Sequence, residues 1–153
     1  MVDTHLDQQH QVKAGVAHAD TAATAATLQA LFGRWLTAAI AGVKDARRVG
    51  RWARGTELPR PQAAAALEHT LQVVELLRTR QDDAAIRSWF RNLQADLGNR
   101  SPALRIRSEP EQVMRAARTF LSLGSPERPP GVGTARPTAA DEHLPPRSTP
   151  ARL

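Results

Sequence analysis

Lys44, Arg47, Arg48, Arg51 and Arg54 crowd one short stretch between Gly42 and Gly55, and guanidinium and ammonium groups at that density suit the binding of phosphate. On a helix advancing about 100° per residue from Asp45, Arg47, Arg51 and Arg54 fall within an arc of about 60°, with Arg48 on its flank. Ala46, Val49, Trp52 and Ala53 occupy the opposite arc, so one face can be buried while the other shows cations to a DNA backbone. A basic helix can also be nothing more than a solvated surface, and the flanking residues bear on the choice. Gly42 and Val43 supply a turn after a compact apolar helix, Asp45 can cap the helix that follows, and Gly55 can end it in the left-handed conformation.

Other chemistry is hard to assemble from this chain. The five histidines, at positions 5, 10, 18, 69 and 143, are scattered, and His69 has Val73 where a second helical ligand would stand. Ser88, Ser101, Ser108 and Ser122 sit in no nucleophile motif, and no glycine-rich phosphate loop follows a strand. Asp82 and Asp83 point to different sides of a helix and serve better as negative charge at its start than as an acid and base pair. Cysteine is absent, which removes disulfides and thiolate chemistry. The expectation is a protein that is not an enzyme, with no metal and no cofactor.

Charge and hydropathy agree with an anionic partner. The 153 residues carry a formal net charge of +6, and the pI is near 11.3. Lys44, Arg47, Arg48, Arg51, Arg54 and Arg60 against Asp45 and Glu57 concentrate this excess between residues 42 and 60. A hydrophobic content of 41% supports a modest core. No apolar run approaches the roughly 18 residues of a membrane span, and the start, with Asp3, His5 and Asp7, lacks a secretory layout. A cytoplasmic protein without membrane contact is expected.

The elements that must position the basic stretch can be read from periodicity. Residues 1–22 are polar and Ala-rich and are expected to be a flexible lead or a frayed helix. Leu28, Leu31, Trp35, Leu36 and Ala39, widened by Phe32 and Ile40, mark a helix ending near Ala41 or Gly42, with Gly33 as a break within it. Leu58-Pro59-Arg60-Pro61 is an extended turn, and Pro61 opens a long helix with Ala63, Leu67, Leu71, Val74 and Leu77 inward, ending near Arg80. A helix starting at Asp82 and Asp83 buries Ala85, Ile86, Trp89, Phe90 and Leu93. Leu97-Gly98-Asn99-Arg100 is a turn, Ser101-Pro102 starts a short helix through Ile106, and Ser108 with Glu111 makes a capping box for a last helix. That helix turns Val113, Met114, Ala117, Phe120 and Leu121 inward. The resulting expectation is an all-α small helical bundle. Residues 23–80 form a helix-turn-helix-like part, residues 81–123 a helical module, and residues 124–153, rich in Pro, a disordered tail.

Two adjoining patterns resemble a known family. Ala39-Ile40-Ala41-Gly42-Val43-Lys44-Asp45, leading to Val49-Gly50-Arg51-Trp52-Ala53-Arg54-Gly55 and Pro59, resembles the helix-turn-helix of Xre-type regulators. Ala85-Ile86-Arg87-Ser88-Trp89-Phe90, then Leu97-Gly98-Asn99-Arg100-Ser101-Pro102 and the helix around Val113, resembles the toxin-binding domain of ParS-like antitoxins, the usual partners of RES-domain toxins that consume NAD. The resemblance covers about residues 28–122. It implies a homodimer that neutralises a cognate toxin by direct binding and represses its own operon. Lys44, Arg47, Arg48, Arg51 and Arg54 would meet DNA, and Trp89, Leu97, Gly98, Arg100, Ser101 and Pro102 would form the toxin-binding motif. The same motif residues also have plain structural roles open to them: Trp89 as core, Gly98 as a turn residue, Ser101 as a helix cap. The competing reading is a stand-alone helix-turn-helix regulator that dimerises through its C-terminal helices. A third is a structural adaptor with no DNA affinity above nonspecific levels.

Overall fold

The computed structural model describes residues 4–124, with side chains from residue 18 onward. These residues contain six α-helices and one 3₁₀ turn, and no strand. The helices are α1 (Thr4–Ala41), α2 (Arg47–Ala53), α3 (Pro61–Arg78), α4 (Asp83–Arg91), α5 (Pro102–Arg105) and α6 (Pro110–Ser122). The all-α expectation holds. Of the two alternatives for the first 22 residues, the backbone takes the helical one from Thr4. Apart from Gly124, the Pro-rich tail lies outside the described residues.

Gly33 divides α1 as its sequence position suggests, with φ 78° and ψ 167° inside an otherwise helical run. Ending a helix strands its last carbonyls, and a buried carbonyl without a donor is costly. Two side chains bond carbonyls around the break, and one of them, Arg87, reaches a carbonyl of the last turn before it. The buried Thr37 hydroxyl points its single proton between Gly33 O at 2.8 Å and Leu28 O at 3.2 Å, and Arg87 Nη1, from α4, donates to Leu31 O at 3.3 Å. The break thereby sets residues 34–41 as a separate helical segment, which Thr37 ties back to the run before it, while Arg87 ties the end of that run to the C-terminal half of the chain.

Glycine closes that segment too. Gly42 has φ 72°, its N–H reaches Ala39 O at 3.1 Å and the Val43 N–H reaches Ala38 O at 3.0 Å, the paired bonds of a Schellman ending. The same pair recurs after α2, where Gly55 N–H bonds Trp52 O at 2.9 Å and Thr56 N–H bonds Arg51 O at 3.0 Å. Between the two stops, Asp45 Oδ1 accepts the Arg47 N–H at 2.9 Å and so caps α2. Pro61 stands in the first turn of α3 after an extended Arg60 with ψ 155°.

Asp82 caps α4 by accepting the Ala85 N–H at 2.8 Å. Asp82→Ala is expected to destabilise the protein by about 1 kcal/mol, because an orphan donor in the first turn loses its acceptor. Urea unfolding followed by circular dichroism reads that shift.

Three sequence expectations are corrected. Trp35, expected on the buried stripe, is 79% exposed, and Ala39 is exposed with it; Gly33 resets the helical phase, so a periodicity counted across the break assigns the wrong face. Leu93 is 69% exposed because α4 stops at Arg91 and Asn92 turns extended with ψ 150°. The Ser108 and Glu111 capping box does not form: Pro110 takes the first helical position, Glu109 becomes the cap residue, and Ser108 Oγ donates instead to Arg105 O at 3.2 Å.

One core runs through the whole fold. It includes Leu28, Phe32, Val49, Trp52, Leu67, Leu77, Phe90, Ile106 and Val113. Phe32 meets Phe90 edge to face at 4.9 Å, Phe90 meets Trp89 at 5.2 Å, and Trp89 leans on Phe120 at 6.1 Å. This aromatic file joins α1, α4 and α6. The boundary expected at residues 80 and 81 is thus a change of element within shared packing.

Candidate nucleic-acid interface

α2 is only two turns long and would not persist alone in water. It is held by Val49, Gly50 and Trp52, all buried, and its outward face carries the arginines. Arg47 and Arg54 are exposed, as is Lys44 in the preceding turn. No carboxylate among the described residues pairs with any of these three cations.

Arg48 and Arg51 are held differently. Glu57, in the loop after α2, takes Arg48 Nη2 at 2.5 Å and Nε at 2.6 Å on Oε1 and Arg51 Nε at 2.5 Å on Oε2. Asp45 Oδ2 adds a longer contact of 3.7 Å to Arg51 Nη2. The Arg48 guanidinium also lies 5.7 Å from the centre of the Trp52 ring, within the range of cation–π attraction. The hydrogen bond from Arg51, with that from Arg48 second, holds the Glu57 carboxyl below the usual range, and the bond to Glu57 raises the Arg51 guanidinium. Both partners stay charged at neutral pH. Of the five cations assigned to DNA by the sequence, three are exposed with no carboxylate partner among the described residues and two are clamped by one carboxylate.

A groove of about 740 Å³ opens beside this face, walled by the turn at residues 41–45, Arg48, Trp52, the start of α3 and Arg107. Lys44, Arg48, Arg60, His69 and Arg107 line it, and Asp45 is its acidic residue. Arg107 comes from just beyond α5 and lies so close over Gly42 that a Cβ there would overlap its guanidinium. Sequence reasoning missed Arg107 as part of this face; the basic run Leu104-Arg105-Ile106-Arg107 was its only trace. Trp52 is 1% exposed, and its Nε1–H, buried without an acceptor, belongs to the same wall.

The residues expected to form the second site divide by burial. Trp89, Leu97, Ser101 and Pro102 are buried, whereas Gly98 and Arg100 are exposed. Gly98 at φ 65° and Asn99 at φ 56° both take the left-handed conformation. The loop is closed by Gln94 N–H to Arg100 O at 3.1 Å and Asn99 N–H to Gln94 O at 3.0 Å. Of the six, Trp89 lies on α4 and Pro102 opens α5, Leu97 and Gly98 lie within the loop, and Arg100 closes it with Ser101 following. Ser101 occupies the cap position of α5, yet its hydroxyl makes no capping bond. Leu93 and Leu104, 69% and 59% exposed, are apolar residues that this module leaves in water.

Among the described residues, no group of three or more His, Cys, Asp or Glu could hold a metal ion, and no helix is long and apolar enough to cross a membrane. No protein-family model matches the chain, nor does any curated protein or solved structure.

Proposed function

We propose that this chain is an antitoxin-like DNA-binding protein, in which residues 34–41 and α2 act as a helix-turn-helix on DNA and the module after α3 binds a cognate RES-type toxin. The observation that carries the DNA half is the pairing of two short helices across a Gly42-ended turn, with unpaired Lys44, Arg47 and Arg54 outward beside a groove lined by Arg48, Arg60 and Arg107. The toxin half rests on the sequence resemblance, with the exposed Leu93, Arg100 and Leu104 as the residues available for contact. As a homodimer in the cytoplasm the protein would present two basic faces to one operator and repress its own operon. The role is binding, with no catalytic step.

Co-expression with the product of the adjacent open reading frame, followed by pull-down and a growth assay, tests the toxin half. A stable complex with restored growth is the expected result. The DNA half is tested by replacing Arg47 and Arg54 together with alanine. Losing two phosphate contacts should make the slope of log affinity against log salt shallower by about 1.8, nearly equally on operator and scrambled duplex. The toxin complex of that variant should stay intact. DNA binding without any toxin complex would leave the stand-alone regulator, and absence of both would remove the proposal.

A further inference from the structure

Trp35 is the residue whose placement the core does not explain. It is 79% exposed, while the other two tryptophans, Trp52 and Trp89, are 1% and 4% exposed. It stands at the start of the helical segment that follows the Gly33 break, in a cleft of about 420 Å³ shared with Arg34, Lys44, Asp45, Ala46 and Arg47. Three cations and one carboxylate therefore surround an indole that no other part of the described chain covers. Lys44 and Asp45 also line the larger basic groove, so the two recesses meet at the turn before α2.

In a helix-turn-helix the first helix crosses the DNA backbone while the second enters the groove. Residues 34–41 are that first helix here, and Trp35 is at its leading end. An indole has a flat apolar body and a single N–H donor at its edge, which matches the alternation of sugar and phosphate along a nucleic-acid strand. We infer that Arg34, Trp35, Lys44 and Arg47 form a backbone clamp for duplex DNA, in which the cations take phosphates and the Trp35 ring packs on a deoxyribose. This rests on the DNA-binding reading above and adds to it a contact that carries no base sequence. Charge complementarity and continuity with the basic groove select a nucleic-acid strand over an uncharged partner. Trp35 thereby becomes a binding residue rather than part of the core.

The experiment uses the full chain, a duplex from its own upstream region, a scrambled duplex, and the corresponding single strand. Intrinsic emission reports on Trp35, because it is the accessible indole among the three, and the signal lost in Trp35→Phe isolates its share. Both duplexes are expected to quench that share. Trp35→Ala should weaken binding to both by about tenfold and Trp35→Phe by much less, since a flat ring survives. Circular dichroism should be unchanged in either variant, as the side chain is outside the core. Full affinity in Trp35→Ala, with Arg47→Ala still weakening the complex, would overturn the clamp and leave the DNA-binding reading standing. Failure of wild type to bind either duplex would sink both. Tighter, base-dependent quenching by the single strand, or a blue shift on anionic lipid vesicles without duplex binding, would overturn the clamp in favour of base stacking or a membrane surface.

Discussion

Trp52→Ala is expected to lower the stability of the folded chain by about 3–5 kcal/mol, the usual cost of emptying a core site of that size. A domain of this kind has about 5–15 kcal/mol in total, so the variant would stand near or below the folding threshold. Three features place the effect at the high end. The ring is 1% exposed and among the largest fully buried side chains. It belongs to α2, which spans seven residues and has no stability of its own apart from this packing. Its face also carries the Arg48 guanidinium at 5.7 Å, so the arginine loses its platform with the ring. Trp52→Phe offers a contrast that separates volume from polarity. It retains an aromatic filling and removes a buried Nε1–H that has no acceptor, a group that costs about 1–3 kcal/mol when left unsatisfied. The phenylalanine variant should therefore fall well short of the alanine loss, and guanidinium unfolding of the two side by side measures the difference. Equal losses in both would mean that the indole N–H has a role that the buried geometry conceals.

Why some of this was legible and some was not follows from the range over which each signal acts. Gly33, Gly42 and Gly55 could be read as stops because a positive φ is a local demand that glycine meets without strain, and all three have it. Asp45 could be read as a cap, and Asp82 as negative charge at a helix start, for the same reason: carboxylate and donor lie within three residues. Pro61 fixed the start of α3 through its own ring. The misreadings all cross a break. Trp35 was assigned by a helical period that Gly33 interrupts, and the stripe through Leu93 ran past the end of α4 at Arg91. The capping box failed over one position, because Pro110 dictates which residue precedes the helix and that residue is Glu109. At the candidate site, the spacing of arginines on α2 was visible, yet their availability was not. Glu57 lies outside the helix, and only the fold brings one carboxylate to two guanidinium groups. Arg107 is further away still, and no pattern near Gly42 announces it. In the C-terminal module burial divides the expected motif residues in a way spacing could not show: Trp89, Leu97, Ser101 and Pro102 are buried, and Gly98 and Arg100 are exposed.

The Glu57 clamp makes the second large prediction, and its sign is opposite to that of most site substitutions. Arg48 and Arg51 spend their best hydrogen bonds on Glu57, so under the proposed DNA-binding function a phosphate would compete with a carboxylate already in place. Glu57→Gln removes that charge and releases both guanidinium groups. If each then takes a phosphate, the duplex affinity at low salt should rise by about 10- to 100-fold, and the slope of log affinity against log salt should steepen by about 1.8. The pairs are partly exposed, with side-chain exposure of 31% for Arg48, 39% for Arg51 and 25% for Glu57, so little folding stability should be lost with them. The pH dependence has a definite direction. Hydrogen bonds from Arg51 and Arg48 hold the folded Glu57 below its ordinary value, so its contribution to stability is present above the unfolded value and is lost as pH falls through the folded one. Wild type should therefore keep its clamp throughout the neutral range, and the affinity gap between wild type and Glu57→Gln should close only in acid, once pH drops below the usual carboxylate range near 4.3. Fluorescence anisotropy of a labelled duplex across salt and pH reads both effects. A variant that binds no more tightly, with an unchanged slope, would mean that Arg48 and Arg51 do not reach phosphate and that the interface is confined to Lys44, Arg47, Arg54 and the groove beyond them.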